Sequence, residues 1–187
     1  MASKLNQSSS AYLPLDHVPD FESSDATTAY WRKLLEIFIA PRCDSFSLSD
    51  VDTVERMAQV ACFKDWQPSI KDRALVRFEW DIPAVGRKRY EEELTRFRLD
   101  GESLGRLMQP QFHYWFISSD IYPADKLYFF EGTDLLIEAE PHELALSFYN
   151  LTPAHRDALW SILPAAVRAF DESRNWVAAT LRVSDPK

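Results

Sequence analysis

Between Ala74 and Ile82 the side chains sort by parity. Ala74, Val76, Phe78, Trp80 and Ile82 fall on one side of an extended chain, and Leu75, Arg77, Glu79 and Asp81 fall on the other. Successive residues of a strand point to opposite faces, so this run requires a sheet with one face buried and one wet. Pro83 ends it. Such a strand needs partners, and its buried face needs a cover. A chain of 187 residues, 46% hydrophobic and 13% aromatic, has the material for one domain, which at this length buries roughly 70% of its unfolded surface without disulfides or metals.

The cover is helical. Tyr30, Leu34, Ile37 and Phe38, widened by Trp31 and Leu35, predict a helix over Thr27 to Ile39 that Pro41 stops. Ser47-Leu48-Ser49-Asp50 resembles a capping box, and Val51, Val54, Ala58, Ala61 and Cys62 follow at helical spacing, which predicts a second helix from Ser47 to Lys64. Arg87 to Leu99 is read as a third helix on Tyr90, Leu94 and Phe97. Its charge order, basic Arg87 to Arg89 before acidic Glu91 to Glu93, opposes the helix dipole. Asp100-Gly101 reads as a turn. Thr152 with Pro153 behind it is the N-cap and first position of another helix.

The remaining segments are predicted strands. Gln111 to Ser118 is apolar on both faces. Leu127 to Phe130 and Leu135 to Glu140 flank Glu131-Gly132-Thr133-Asp134, a hairpin loop with a glycine available for positive φ. Leu144 to Tyr149 follows, and Trp176 to Val183 closes the chain as a strand or docked tail. The expected fold is α+β: an antiparallel sheet of about five strands with helices packed on one face. Residues 1–25 are read as a flexible N-terminal arm that Leu13 can pin to the body, and 26–187 as a single α+β domain.

A formal net charge of −8 disfavours nucleic acid and anionic membranes. The charge is uneven. From Leu127 to His155 the chain carries Glu131, Asp134, Glu138, Glu140 and Glu143 and not one Lys or Arg. On an exposed sheet face these would attract a basic surface. No secretory signal pattern and no apolar run of membrane-spanning length is present, so the reading is cytoplasmic.

Chemistry leaves no motif. Four scattered glycines do not make a phosphate-cradling loop. His17, His113, His142 and His155 have no partners at metal-ligand spacing. No Gly-x-Ser-x-Gly elbow exists, and Cys43 and Cys62 have no base in sequence reach. Glu138 and Glu140 share a strand face about 7 Å apart, a spacing that suits a general acid/base pair and also any solvated strand. No catalytic residue, metal or cofactor is assigned.

A small, acidic, aromatic-rich chain without a catalytic signature resembles bacterial immunity proteins, the cognate inhibitors of toxins, in overall profile. The resemblance implies a non-catalytic protein-binding domain that docks an acidic face on a basic partner, such as a toxin domain. The residues expected to meet it are Glu131, Asp134, Glu138, Glu140 and Glu143, with Tyr122 and Tyr149 as aromatic anchors. Two alternatives stand beside it. One is a secretion-chaperone-like binding module that uses apolar surface. The other is a small-molecule-binding domain or enzyme built on the aromatic strands.

Overall fold

A computed structural model describes residues 9–14, 24–82, 86–109, 126–141, 145–162 and 176–184. The strands are β1 (Ser9–Pro14), β2 (Ser45–Leu48), β3 (Ile70–Ile82), β4 (Gly86–Arg98), β5 (Leu127–Glu131), β6 (Asp134–Glu140), β7 (Ala145–Leu151) and β8 (Trp176–Ser184). Between them run α1 (Ser24–Lys33), continued by a π-helical turn over Leu34–Ile39, α2 (Val54–Met57), α3 (Gly101–Leu107) and α4 (Pro153–Ile162). The eight strands form one sheet in the order β1-β7-β6-β5-β2-β4-β3-β8, and each pair is antiparallel. The α+β class holds, with eight strands among the described residues in place of about five.

The period-two run is the heart of β3, and Ala74, Val76 and Phe78 are buried as its parity requires. The Leu127–Phe130 and Leu135–Glu140 strands form a hairpin across Gly132, whose φ is +58°. The start of α4 is as read, with Thr152 Oγ1 accepting from the His155 N–H at 3.2 Å. Within the stretch read as an arm, β1 pairs with β7, and Leu13 is buried in the core. The expected strand at Gln111 to Ser118 lies outside the described residues.

Three elements differ from expectation. Arg87 to Leu99 is not a helix: β4 lies along β3 for its whole length, from Ile82↔Gly86 to Ile70↔Phe97. The charge order that weakened a helix suits a hairpin, since it sets Arg77 opposite Glu91, and the two form an ion pair at 2.5 Å. The alternation was hidden because Glu92 and Arg96 occupy inward positions. The Ser47–Lys64 helix is replaced by β2 and the four-residue α2, whose true N-cap is Thr53, 3.2 Å from the Arg56 N–H. Ser47 instead donates its hydroxyl to the Thr95 carbonyl of β4 at 2.8 Å. The Asp100-Gly101 turn opens α3, where Asp100 and Ser103 cap each other reciprocally. Inside the first helix, the π-helical end bonds Ala40 N–H to Leu35 O at 2.8 Å. Ile39 thereby joins Leu34, Leu35 and Phe38 in the core, and Ile37 is left exposed.

The sheet is curled. Phe78 on β3 and Tyr149 on β7 have four strands between them in sheet order, which in a flat sheet would hold them roughly 24 Å apart. Their ring centroids are 6.0 Å apart. At the far edge β8 comes back within reach of β1, β6 and β7. The inside of the curl holds Val76, Phe78, Leu94, Tyr128, Phe130, Leu135 and Tyr149. The outer face of the central strands, through Phe46, Phe129, Ile137, Leu146 and Phe148, meets α1, its π-helical end and α4 in the larger core. The sheet face that carries no helix among the described residues is therefore not open; it is rolled inward on itself.

Candidate functional site

β2 is only four residues long and pairs with β4 through just Ser45↔Arg98 and Phe46↔Phe97. Among the described residues β4 has no paired strand on that side beyond β2, and side chains of β4 and β5 meet there. Lys126, just ahead of β5, is anchored there by its backbone. Its N–H donates to Ser49 Oγ at 2.9 Å, and its carbonyl accepts from the Ser49 N–H at 3.0 Å.

From this anchor the Lys126 ammonium reaches β6. It lies 2.5 Å from Glu138 Oε1 and 3.4 Å from Glu140 Oε1. The other Glu138 oxygen accepts from Tyr149 Oη at 2.5 Å. Between β5 and β4, Tyr128 Oη donates to Glu92 Oε2 at 2.7 Å. Glu138 is 4% exposed and Tyr149 2%. Glu92, Glu140 and Lys126 are half-buried, and Tyr90 beside them is 49% exposed. The result is a mouth where the curl meets solvent, holding, among the described residues, three carboxylates and one ammonium and framed by tyrosines.

The electrostatics follow from that imbalance. Burial raises the Glu92 pKa; Tyr128 and Lys126 oppose the rise, and Glu138 and Asp50 add to it. Burial likewise raises Glu140, the negative charge of Glu138 raises it further, and Lys126 offsets only part of this. For Lys126 burial works toward the neutral amine, but Glu138 and Glu140 outweigh it and hold the pKa above its ordinary value. Burial first, then Glu138, pushes the Tyr128 and Tyr149 phenols far up, so both stay protonated donors.

The expected acidic face is thus divided. Glu138 and Tyr149 are buried and hydrogen-bonded to each other, so neither is an exposed contact. Glu140 sits at the mouth. Glu131 and Asp134 lie at the opposite end of the β5–β6 hairpin, about 20 Å away by strand rise. There Glu131 faces His155 Nε2 at 3.2 Å, and Asp134 is exposed. Glu143 and Tyr122 fall outside the described residues. Sequence reasoning missed Lys126, Glu92, Tyr90 and Tyr128. Lys126 directly precedes the first residue of the acid-only segment, and Glu92 was hidden in the stretch read as a helix.

A second buried ion pair belongs to the scaffold. Arg96 on β4 donates through Nε and Nη2 to Asp72 on β3, and through Nη1 to the Gly132 carbonyl at 2.5 Å. It ties β3 and β4 to the β5–β6 turn. Burial raises the Cys62 thiol to about 12 and Cys43 further still, so both are thiols at neutral pH. Among the described residues no group of three or more His, Cys, Asp or Glu has the geometry to hold a metal ion, and no helix is long and apolar enough to cross a membrane. Comparison with protein families, with curated proteins and with solved structures finds no match for this chain.

Proposed function

We propose that this chain is a protein-binding domain that neutralises a basic partner, in the manner of an immunity protein, by taking a cationic group of that partner into the acidic mouth. The observation that supports this is the surplus of carboxylate there. Among the described residues, Glu92, Glu138 and Glu140 have one ammonium between them, and Glu92 and Glu140 are partly solvent-accessible. A guanidinium or ammonium from a partner would supply the missing counter-charge. Tyr90 offers an exposed aromatic face for it. The anchors of this reading are Glu92, Glu140 and Tyr90, with Glu138 holding Lys126 from behind.

The test uses the full chain as bait in its native cell, followed by association kinetics with the captured partner. The partner should be basic, and its on-rate should fall steeply with ionic strength. Glu140→Lys should slow association about tenfold, whereas Asp134→Lys, at the other end of the hairpin, should leave it unchanged. Equal effects of the two variants would remove the mouth as the docking point. Glu138→Lys is not a usable variant, because it would bury a second cation beside Lys126.

The small-molecule alternative has one observation behind it, the buried Glu138 carboxylate. Against it, both Glu138 oxygens are already engaged. The interior around it is filled by Phe78 packed on Tyr128 and Tyr149, with ring centroids 6.2 and 6.0 Å apart.

A further inference from the structure

The three carboxylates at the mouth are not held alike. Lys126 is committed to β6, shared between Glu138 and Glu140. Glu92, on β4, has a neutral phenol as its donor. Among the described residues, the titratable and charged groups that act on Glu92 are Tyr128 and Lys126 from the β5 side, Glu138 from β6, Asp50 from the turn after β2, and Tyr90 on its own strand. Those around Glu140 are Glu138 on its own strand, Lys126 from the β5 side and Tyr149 on β7. Among the described residues, three ionised carboxylates would therefore share a single ammonium.

We infer that this cluster is a proton-operated switch: on acidification Glu92 and Glu140 take up protons, discharging the surplus negative charge around Lys126 and weakening the hold on a basic partner. The partner's share of this rests on the docking reading. The proton's share belongs to the isolated chain. Burial and the neighbouring Glu138 charge both act in the direction required. The sign follows from linkage. A carboxyl whose pKa is higher in the folded than in the unfolded chain favours folding fully below its unfolded value. That contribution is lost as the pH rises through its folded value. Glutamine at position 92 keeps an acceptor oxygen for Tyr128 Oη and removes the charge.

The isolated full chain tests this in two ways. In a carboxyl-carbon NMR titration, Glu92 and Glu140 should show inflections above the ordinary glutamate value of 4.5; inflections at or below it would overturn the inference. In urea unfolding, Glu92→Gln should raise the midpoint at neutral pH, and the gain should shrink toward zero as the pH falls through the ordinary carboxylate range. An effect of the same size at both pH values would equally overturn it. Neither measurement involves a partner. A failed titration therefore sinks the switch and leaves charge-dependent docking standing, while equal effects of Glu140→Lys and Asp134→Lys on association sink the docking and leave the switch.

Discussion

Lys126 carries more of this molecule than its half-buried position suggests. Its ammonium is the cation beside Glu138, a carboxylate with almost no access to water. Removing one partner of a buried pair leaves the other charge stranded, which costs about 3–5 kcal/mol. The Lys126 side chain is 32% exposed, so Lys126→Met should sit at the low end, about 3 kcal/mol in urea unfolding. The double variant Lys126→Met, Glu138→Gln should recover much of that loss. If the single variant unfolds like the wild type, Glu138 is better solvated than its burial indicates. Tyr149→Phe removes the other donor to Glu138 and should cost about 1.5–3 kcal/mol. Asp44 shows the opposite sign of pH linkage. Burial acts to raise its pKa, but the hydrogen bonds from Lys71, at 2.7 Å, and from Ser45 outweigh it and lower it. A lowered pKa stabilises the fold above the unfolded value and is lost as the pH falls through the folded one. Asp44→Asn should therefore lower the unfolding midpoint at neutral pH and make no difference in strong acid.

Among the elements, α4 shows how local sequence and tertiary contact combine. Thr152 Oγ1 accepts from the His155 N–H, and His155 Nδ1 accepts from the Thr152 N–H at 3.3 Å. This is a reciprocal cap with histidine in the place glutamate usually takes. With Nδ1 accepting, the ring proton sits on Nε2, where it faces Glu131 at 3.2 Å. The histidine thus ties α4 to the β5–β6 turn. Thr152→Ala should cost about 1 kcal/mol, measured by urea unfolding. His155→Gln, which can still accept from the Thr152 N–H, should be better tolerated than His155→Ala, and equal losses would remove the capping role. The Thr152-Pro153 start was legible because caps are local chemistry. The Ser47 cap was misleading for the same reason: a serine followed by an acid at the right distance occurs in turns as well as helix starts, and pairing of β2 with β4 and β5 settled the matter. β4 was illegible because Glu92 and Arg96 stand at inward positions. Only their partners, Tyr128 and Asp72, make those positions tenable.

For the molecule as a whole, the curl is the decisive feature. Phe78 bridges its two walls, 6.2 Å from Tyr128 and 6.0 Å from Tyr149 by ring centroid. Phe78→Ala should therefore cost about 3–5 kcal/mol, and it should also alter near-ultraviolet circular dichroism from the interior tyrosines. An unchanged tyrosine signal would mean that the walls are held by other contacts. The curl also explains why the acidic face read from Leu127 to His155 did not survive intact. A flat sheet would have shown Glu138 and Glu140 to water together. The rolled sheet buries the first and leaves the second at the rim.

Parity and capping are properties of neighbouring residues, so the chain alone settled the β3 strand, the β5–β6 hairpin, the start of α4 and the α+β class, while α1 begins at Ser24, ahead of the expected Thr27. Which strands lie side by side, and how tightly the sheet rolls, depend on contacts between residues far apart in sequence. Those contacts place Lys126 against Glu138 and Glu92 under Tyr128, and so turn a run of acids into a half-neutralised mouth. No local pattern encodes that pairing, because its energy exists only when strands separated by tens of residues have already met.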